Sequence, residues 1–123
     1  MKKYSGEVKI WVVNGELVRD LFFLDFTEGG HDLIYPFVPK NEVWIDDDVS
    51  PKELKFILLH ELHERNLMIK GWTYDLHDER TAIEKINKKA KIHRSAHGSA
   101  SRIEYFCRKN PSKLDECLMK EVR

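Results

Sequence analysis

Apolar and polar positions follow two rhythms along the chain. Before residue 48 they alternate or run in short blocks. After it they recur at helical spacing. Glu7-Val8-Lys9-Ile10-Trp11-Val12-Val13 is β-rich and ends at Asn14-Gly15, a dipeptide that predicts a hairpin turn between apolar runs. Residues 16–26 then read as the partner strand. Within them Leu21-Phe22-Phe23-Leu24 is wholly apolar, as expected of a segment covered on both faces. Thr27-Glu28-Gly29-Gly30-His31-Asp32 reads as a turn, and 33–38 as a short strand broken by Pro36 and closed by Pro39. Glu42-Val43-Trp44-Ile45-Asp46 alternates cleanly and predicts a further strand.

The helical part opens with Ser50 as an N-cap, Pro51 at the first helical position and Glu53 at capping-box spacing. Leu54, Phe56, Ile57, Leu58, Leu59, Leu62, Leu67, Met68 and Ile69 surround this helix instead of forming one stripe, so it is expected to be buried. Gly71 stands where a terminating glycine belongs. A second helix is expected from about residue 75 to 96, broken by His97-Gly98-Ser99. A third begins near Ser101, and a last one runs from Pro111 to about Glu121. The pattern predicts an α+β fold in one domain, 1–123. A small, mostly antiparallel sheet (β-rich part, 1–48) precedes three to four helices (49–123).

Composition narrows the class. The chain has 123 residues, the size of one ordinary domain. No stretch approaches the roughly 18 apolar residues of a membrane helix, and Met1 to Tyr4 offers no signal-peptide core. Two late cysteines, Cys107 and Cys117, make no secreted disulfide framework and point to a cytoplasmic protein. The complete lack of glutamine, with 34% charged residues, is a thermophilic tendency. The net charge of zero argues against a general polyanion binder. It hides a split: 9 basic and 16 acidic side chains over residues 1–79, against 12 and 5 over residues 80–123.

The stretch that carries chemistry is His60-Glu61-Leu62-His63-Glu64. On a helix, residues 60 and 64 lie about 40° apart on one face, one turn from each other. A His and a carboxylate so placed can reach one divalent cation, and the adjacent Glu61 flanks the same face. Three ionisable groups in an apolar helix also need a shared partner. A metal ion is one; Lys or Arg from the C-terminal half, in a heat-adapted ion network, is the other. A further donor cluster follows at His77, Asp78 and Glu79, with Glu84 beyond it. His31 and Asp32 are also candidates to approach the same cleft from the Gly-Gly turn.

The order of strand 42–46, Ser50-Pro51-Lys52-Glu53 and Phe56-Ile57-Leu58-Leu59-His60-Glu61 resembles the core of the zincin-like metallopeptidases. It is most similar to the small intracellular kind related to the ImmA/IrrE group. A looser likeness to phage and archaeal proteins of unknown function is carried by residues 59–68, 74–77 and 82–84. The zincin resemblance implies that Trp44 and Ile45 lie on the edge strand lining a substrate cleft. It implies zinc, or another divalent metal, on His60 and Glu64, with Glu61 as general base for a metal-activated water. The third ligand would come from the next helix. His77 is the choice, with Asp78, Glu79 and Glu84 as alternatives. The sequence departs from the family in ending H-E-x-x-E, Glu64 replacing a histidine. His60, Glu64 and His77 would restore a two-His, one-Glu set. The function implied is a zinc-dependent, peptidase-like hydrolase acting on a peptide or protein. The alternative is a degenerate zincin-like module that binds a protein or nucleic-acid partner.

Other signals rank lower. Tyr74 and His63 are candidate oxyanion donors, although His63 reads better as structural. His93 and His97 form an i, i+4 pair that, with Cys107 and Cys117, matches no zinc-finger spacing. Core cysteines and histidines near a helix end describe these four better. Lys85, Lys88, Lys89 and Arg94 form the nucleic-acid candidate, but with few aromatics nearby a solvated face, or pairing with the acidic first half, is favoured.

Overall fold

The computed structural model describes residues 8–21, 28–76, 78 and 80–122. The fold is α+β. In chain order the elements are β1 (Lys9–Val13), α1 (Gly15–Leu21), β2 (Gly29–His31), β3 (Glu42–Asp46), α2 (Pro51–Ile69), β4 (Trp72–Thr73), α3 (Thr81–Lys89), β5 (Ile92–Ser95), α4 (Ala96–Lys109), a 3₁₀ turn (Pro111–Lys113) and α5 (Leu114–Glu121).

The N-terminal sheet differs from the predicted hairpin. Asn14 caps a helix instead of turning a strand: its Oδ1 accepts the backbone N–H of Leu17 at 3.0 Å. With α1 in the connection, β1 joins β3 in parallel, Lys9 opposite Glu42 and Val13 opposite Asp46. β2 joins the other side of β3 antiparallel, Gly29 opposite Ile45 and His31 opposite Val43. The expected turn at 27–32 therefore contains a strand, and 33–38 forms turns, not a strand. Leu21 is the exposed end of α1, and residues 22–27 of the expected partner strand lie outside the described residues. The sheet order is β1-β3-β2, which makes β3 central. This corrects the expectation that Trp44 and Ile45 sit on an edge: the edge nearest α2 is β2. The glycines of β2 permit its close approach. A Cβ on Gly29 would meet the carbonyl oxygen of Trp44 at 2.9 Å and Cγ2 of Ile57 at 3.3 Å.

α2 is the centre of the molecule. On one side Ile57 and Leu62 pack with Val43 and Ile45 of β3. On the other, Leu59 packs with Cys107 of α4 and Leu114 of α5. This two-sided burial explains why its apolar residues encircle it. Ser50 is extended at the N-cap, but its hydroxyl makes no capping hydrogen bond. The Glu53 carboxylate instead pairs with Arg108 at 2.8 Å. At the far end Gly71, at φ +107°, takes the left-handed conformation that stops the helix.

The long second helix expected over 75–96 is two elements. α3 ends at Lys89, and β5 pairs in parallel with β4. Ser95 then caps α4, its Oγ accepting the Gly98 N–H at 2.9 Å, so His97-Gly98-Ser99 opens this helix where a break was expected. No helix among the described residues is long and apolar enough to cross a membrane.

Candidate metal centre

α2 presents His60, Glu61 and Glu64 to a cavity of about 260 Å³. The opposite walls come from Glu28 and Gly29 at β2, Ile34 and Tyr35 in the following turns, Tyr74 after β4, Arg80 before α3, and His97 and Glu104 of α4.

His97 is aimed by the start of α4. Its backbone N–H donates to the carbonyl of Tyr74 at 2.8 Å, and the Ser95 hydroxyl donates to the same carbonyl at 3.2 Å. This anchorage brings Nδ1 of His97 to 3.0 Å from Glu64 Oε2 and 3.2 Å from His60 Nε2; the last two atoms are themselves 3.2 Å apart. Two imidazole nitrogens and a carboxylate oxygen from two helices thus form a nearly equilateral triangle. Zinc with bonds of about 2.0–2.1 Å places tetrahedral donor atoms about 3.3–3.4 Å apart, close to this spacing. Two imidazoles and one carboxylate also match zinc's preferred ligands.

Two of the three donors are held from behind. Glu104 Oε1 lies 2.9 Å from His60 Nδ1, on the ring nitrogen that faces away from the triangle. His31, fully buried, holds Glu64. The Leu33 backbone N–H donates to His31 Nδ1 at 3.3 Å, so the ring hydrogen sits on Nε2, which donates to Glu64 Oε1 at 2.9 Å. His31, Glu61 and Glu64 form a second triad with candidate ligand atoms within 4.8 Å of one another. His31 Nε2, however, carries that donated hydrogen and has no lone pair for a cation, so its role here is to orient Glu64.

The electrostatics follow from this crowding. Burial would raise the Glu64 carboxyl, but hydrogen bonds from His31, His60 and His97 hold it far below the usual carboxylate range. Burial would lower His60, but the Glu64 hydrogen bond and the charges of Glu61, Glu64 and Glu104 lift it to about 9. His97 is raised, first by its hydrogen bond to Glu64. Glu61 is pushed up to about 7 by burial and then by the Glu64 charge. Tyr74 is raised by burial and by Glu64 and Glu61. Three of Glu64's hydrogen-bond partners are histidines, not the Lys or Arg that an ion network would supply.

The structure brings His60, Glu61 and Glu64 together as the motif requires. His77, the expected third ligand, and its alternative Glu79 lie outside the described residues. Asp78 is engaged with Arg80 at 2.7 Å, and Glu84 pairs with Lys88 at 3.3 Å on the outside of α3. His97 stands in the third position instead. It separates from the companions weighed for it, since His93 is exposed on β5 while Cys107 is buried against Leu59 and Leu114. Cys107 and Cys117 are free thiols of the helix core. His63 faces away from the cavity, its Nδ1 2.7 Å from Glu121 and Nε2 2.9 Å from Ser99. Tyr74 does line the cavity. Lys85, Lys88 and Lys89 are exposed on α3, and Arg94 is exposed on β5, over the Trp72 ring at 5.7 Å.

His97, paired with His93 in the sequence, and Glu104 do not stand out there as partners of His60 and Glu64, because the pattern predicts a helix ending where α4 begins. A helix capped at Ser95 puts residues 97 and 104, seven apart, on one face. That cap was the available signal. No protein-family model, no curated protein and no solved structure matches the chain.

Proposed function

We propose that the chain is a small zinc-dependent hydrolase of peptidase-like, zincin-related type, holding its ion on His60, Glu64 and His97. The observation that carries this reading is the triangle of His60 Nε2, Glu64 Oε2 and His97 Nδ1, with edges of 3.0–3.2 Å at the wall of a cavity. When bound, zinc supplies a Lewis acid that acidifies water and polarises a carbonyl. Glu61, next to His60 on the cavity wall, is the general base that takes a proton from the attacking water. Tyr74, across the cavity and beside the His97 ring at 5.4 Å, is the hydrogen-bond donor for the oxygen that gains charge. The substrate is a peptide or protein segment. Two free thiols fit a cytoplasmic protein.

The test is metal content by native mass spectrometry, with peptide hydrolysis followed in parallel. About one zinc per chain is expected, lost in His60→Ala, Glu64→Ala and His97→Ala. Glu61→Gln is expected to keep zinc and lose hydrolysis. Absence of stoichiometric metal, with thermal stability unchanged by chelator, overturns the reading.

A further inference from the structure

We infer that Glu104 is a positioning residue of this site. Its carboxylate, fixed by Arg108, locks the His60 ring in the tautomer and orientation that turn Nε2 toward Glu64 and His97. The inference rests on the metal reading above.

A carboxylate only accepts hydrogen bonds. Glu104 Oε1, 2.9 Å from His60 Nδ1, therefore keeps a hydrogen on Nδ1, so the proton that a cation displaces is the one on Nε2, which faces Glu64 at 3.2 Å. The two ring nitrogens point apart, so the oxygen bonded at Nδ1 lies away from an ion facing Nε2. Glu104 is itself held. Its Oε2 accepts from Arg108 Nε at 2.9 Å, and Arg108 Nη1 reaches Glu53 Oε1 at 2.8 Å. The guanidinium also lies 4.6 Å from the Phe56 ring centre.

This chain of contacts follows from helix register. Glu53, Phe56 and His60 share one face of α2 at i, i+3 and i+7; Glu104 and Arg108 are one turn apart on α4. The two helices run antiparallel, Glu53 meeting Arg108, His60 meeting Glu104 and Glu64 meeting His97. Arg108 is one-third exposed, where an ion pair adds little stability. Its contribution is directional: a planar fork anchored to α2 sets the angle of the Glu104 carboxylate, and that carboxylate sets the angle of the imidazole.

The test measures zinc affinity of the full chain by competition with a chromophoric chelator. The cobalt(II) absorption spectrum and the melting temperature of the metal-free protein are recorded alongside. Glu104→Ala is expected to weaken zinc binding about 10–100-fold. The cobalt spectrum should keep its coordination signature, and the metal-free protein should melt within a few degrees of the parent. Glu104→Gln falls between, because its single oxygen can serve His60 or Arg108 but not both. Arg108→Met weakens binding in the same direction by a smaller factor.

Unchanged affinity in Glu104→Ala overturns the proposal. So does a loss as complete as that of His60→Ala with an altered cobalt spectrum, which makes Glu104 a ligand. A loss that merely tracks a fall in metal-free melting temperature overturns it as well. These outcomes leave the metal reading standing, whereas failure of the unaltered chain to bind zinc or cobalt removes both.

Discussion

His31 Nε2 donates to Glu64 Oε1 at 2.9 Å with both side chains buried, so one carboxylate oxygen is occupied and the other is left facing His60 and His97. Removing His31 strands a buried acceptor and opens a hole against β3. His31→Ala should therefore destabilise the metal-free fold by about 3 kcal/mol or more, read from urea denaturation. A change below about 1 kcal/mol would show that Glu64 does not depend on His31.

Ligand binding to the native state alone adds stability by mass action. At zinc concentrations about 100 times its dissociation constant, unfolding should cost about 2.7 kcal/mol more. For a domain of 123 residues that is a rise of about ten degrees in melting temperature. The rise should vanish in His97→Ala and persist in Glu61→Gln, and differential scanning calorimetry with and without zinc checks both.

Acid should undo a second buried pair. Arg65 Nε and Nη2 donate to Asp32 Oδ1 and Oδ2 at 2.6 and 3.2 Å, and the Asn41 N–H donates to Oδ2 at 2.8 Å. Burial would raise the Asp32 carboxyl, but these bonds hold it below its ordinary 3.8. A depressed pKa means stability that is fully present above 3.8 and lost as pH falls through the folded-state value. Asp32→Asn should be less stable than the parent at neutral pH and should show a shallower loss of stability below about pH 4. Chemical denaturation at a series of pH values measures both slopes; parallel acid limbs would contradict the assignment.

The approach of β2 to β3 leaves no room beside Gly29. Gly29→Ala should cost about 1–3 kcal/mol, because the new methyl must displace the Trp44 carbonyl or the Ile57 side chain. It should also weaken zinc binding, since His31 lies two residues further along the same strand. Thermal melts and zinc titration of the variant test this; a neutral substitution would mean that β2 shifts freely.

The sequence marked α2 well, because its start and stop rest on local chemistry: Pro51 at the first turn and a left-handed Gly71 at the end. β3 was equally clear from its alternation, and the 3₁₀ turn with α5 from Pro111. Elsewhere one local signal had two meanings. Asn14 suits both a hairpin turn and a helix cap, and only the parallel pairing of β1 with β3, a contact between residues more than 30 apart, selects the cap. The run 90–95 suits helix by composition. Residues 92–95 become β5 because the segment 71–73 binds the backbone there: the Gly71 carbonyl accepts the Lys91 and Ile92 N–H groups at 2.9 Å, and the Thr73 hydroxyl donates to the Arg94 carbonyl at 2.6 Å. Of the candidate site, the motif residues were readable from helical spacing. His31 was legible as a candidate to approach the cleft, and it does bond Glu64; His97 and Glu104 were not readable as partners of the motif, because what brings them there is tertiary folding around α2.

His60 and His97 stand 37 residues apart in the chain, and Glu64 and His97 33 apart. An ion shared among them closes a loop that contains β4, α3 and β5. Tying such a loop removes freedom chiefly from the unfolded chain, by about 3–4 kcal/mol on the scale of a covalent cross-link. The elements described in that loop are short: a two-residue strand, a nine-residue helix and a four-residue strand. On the metal reading, occupancy of the site would set how often β4, α3 and β5 open. Their amides should exchange with solvent on one clock when the ion is present and on a faster one when it has left.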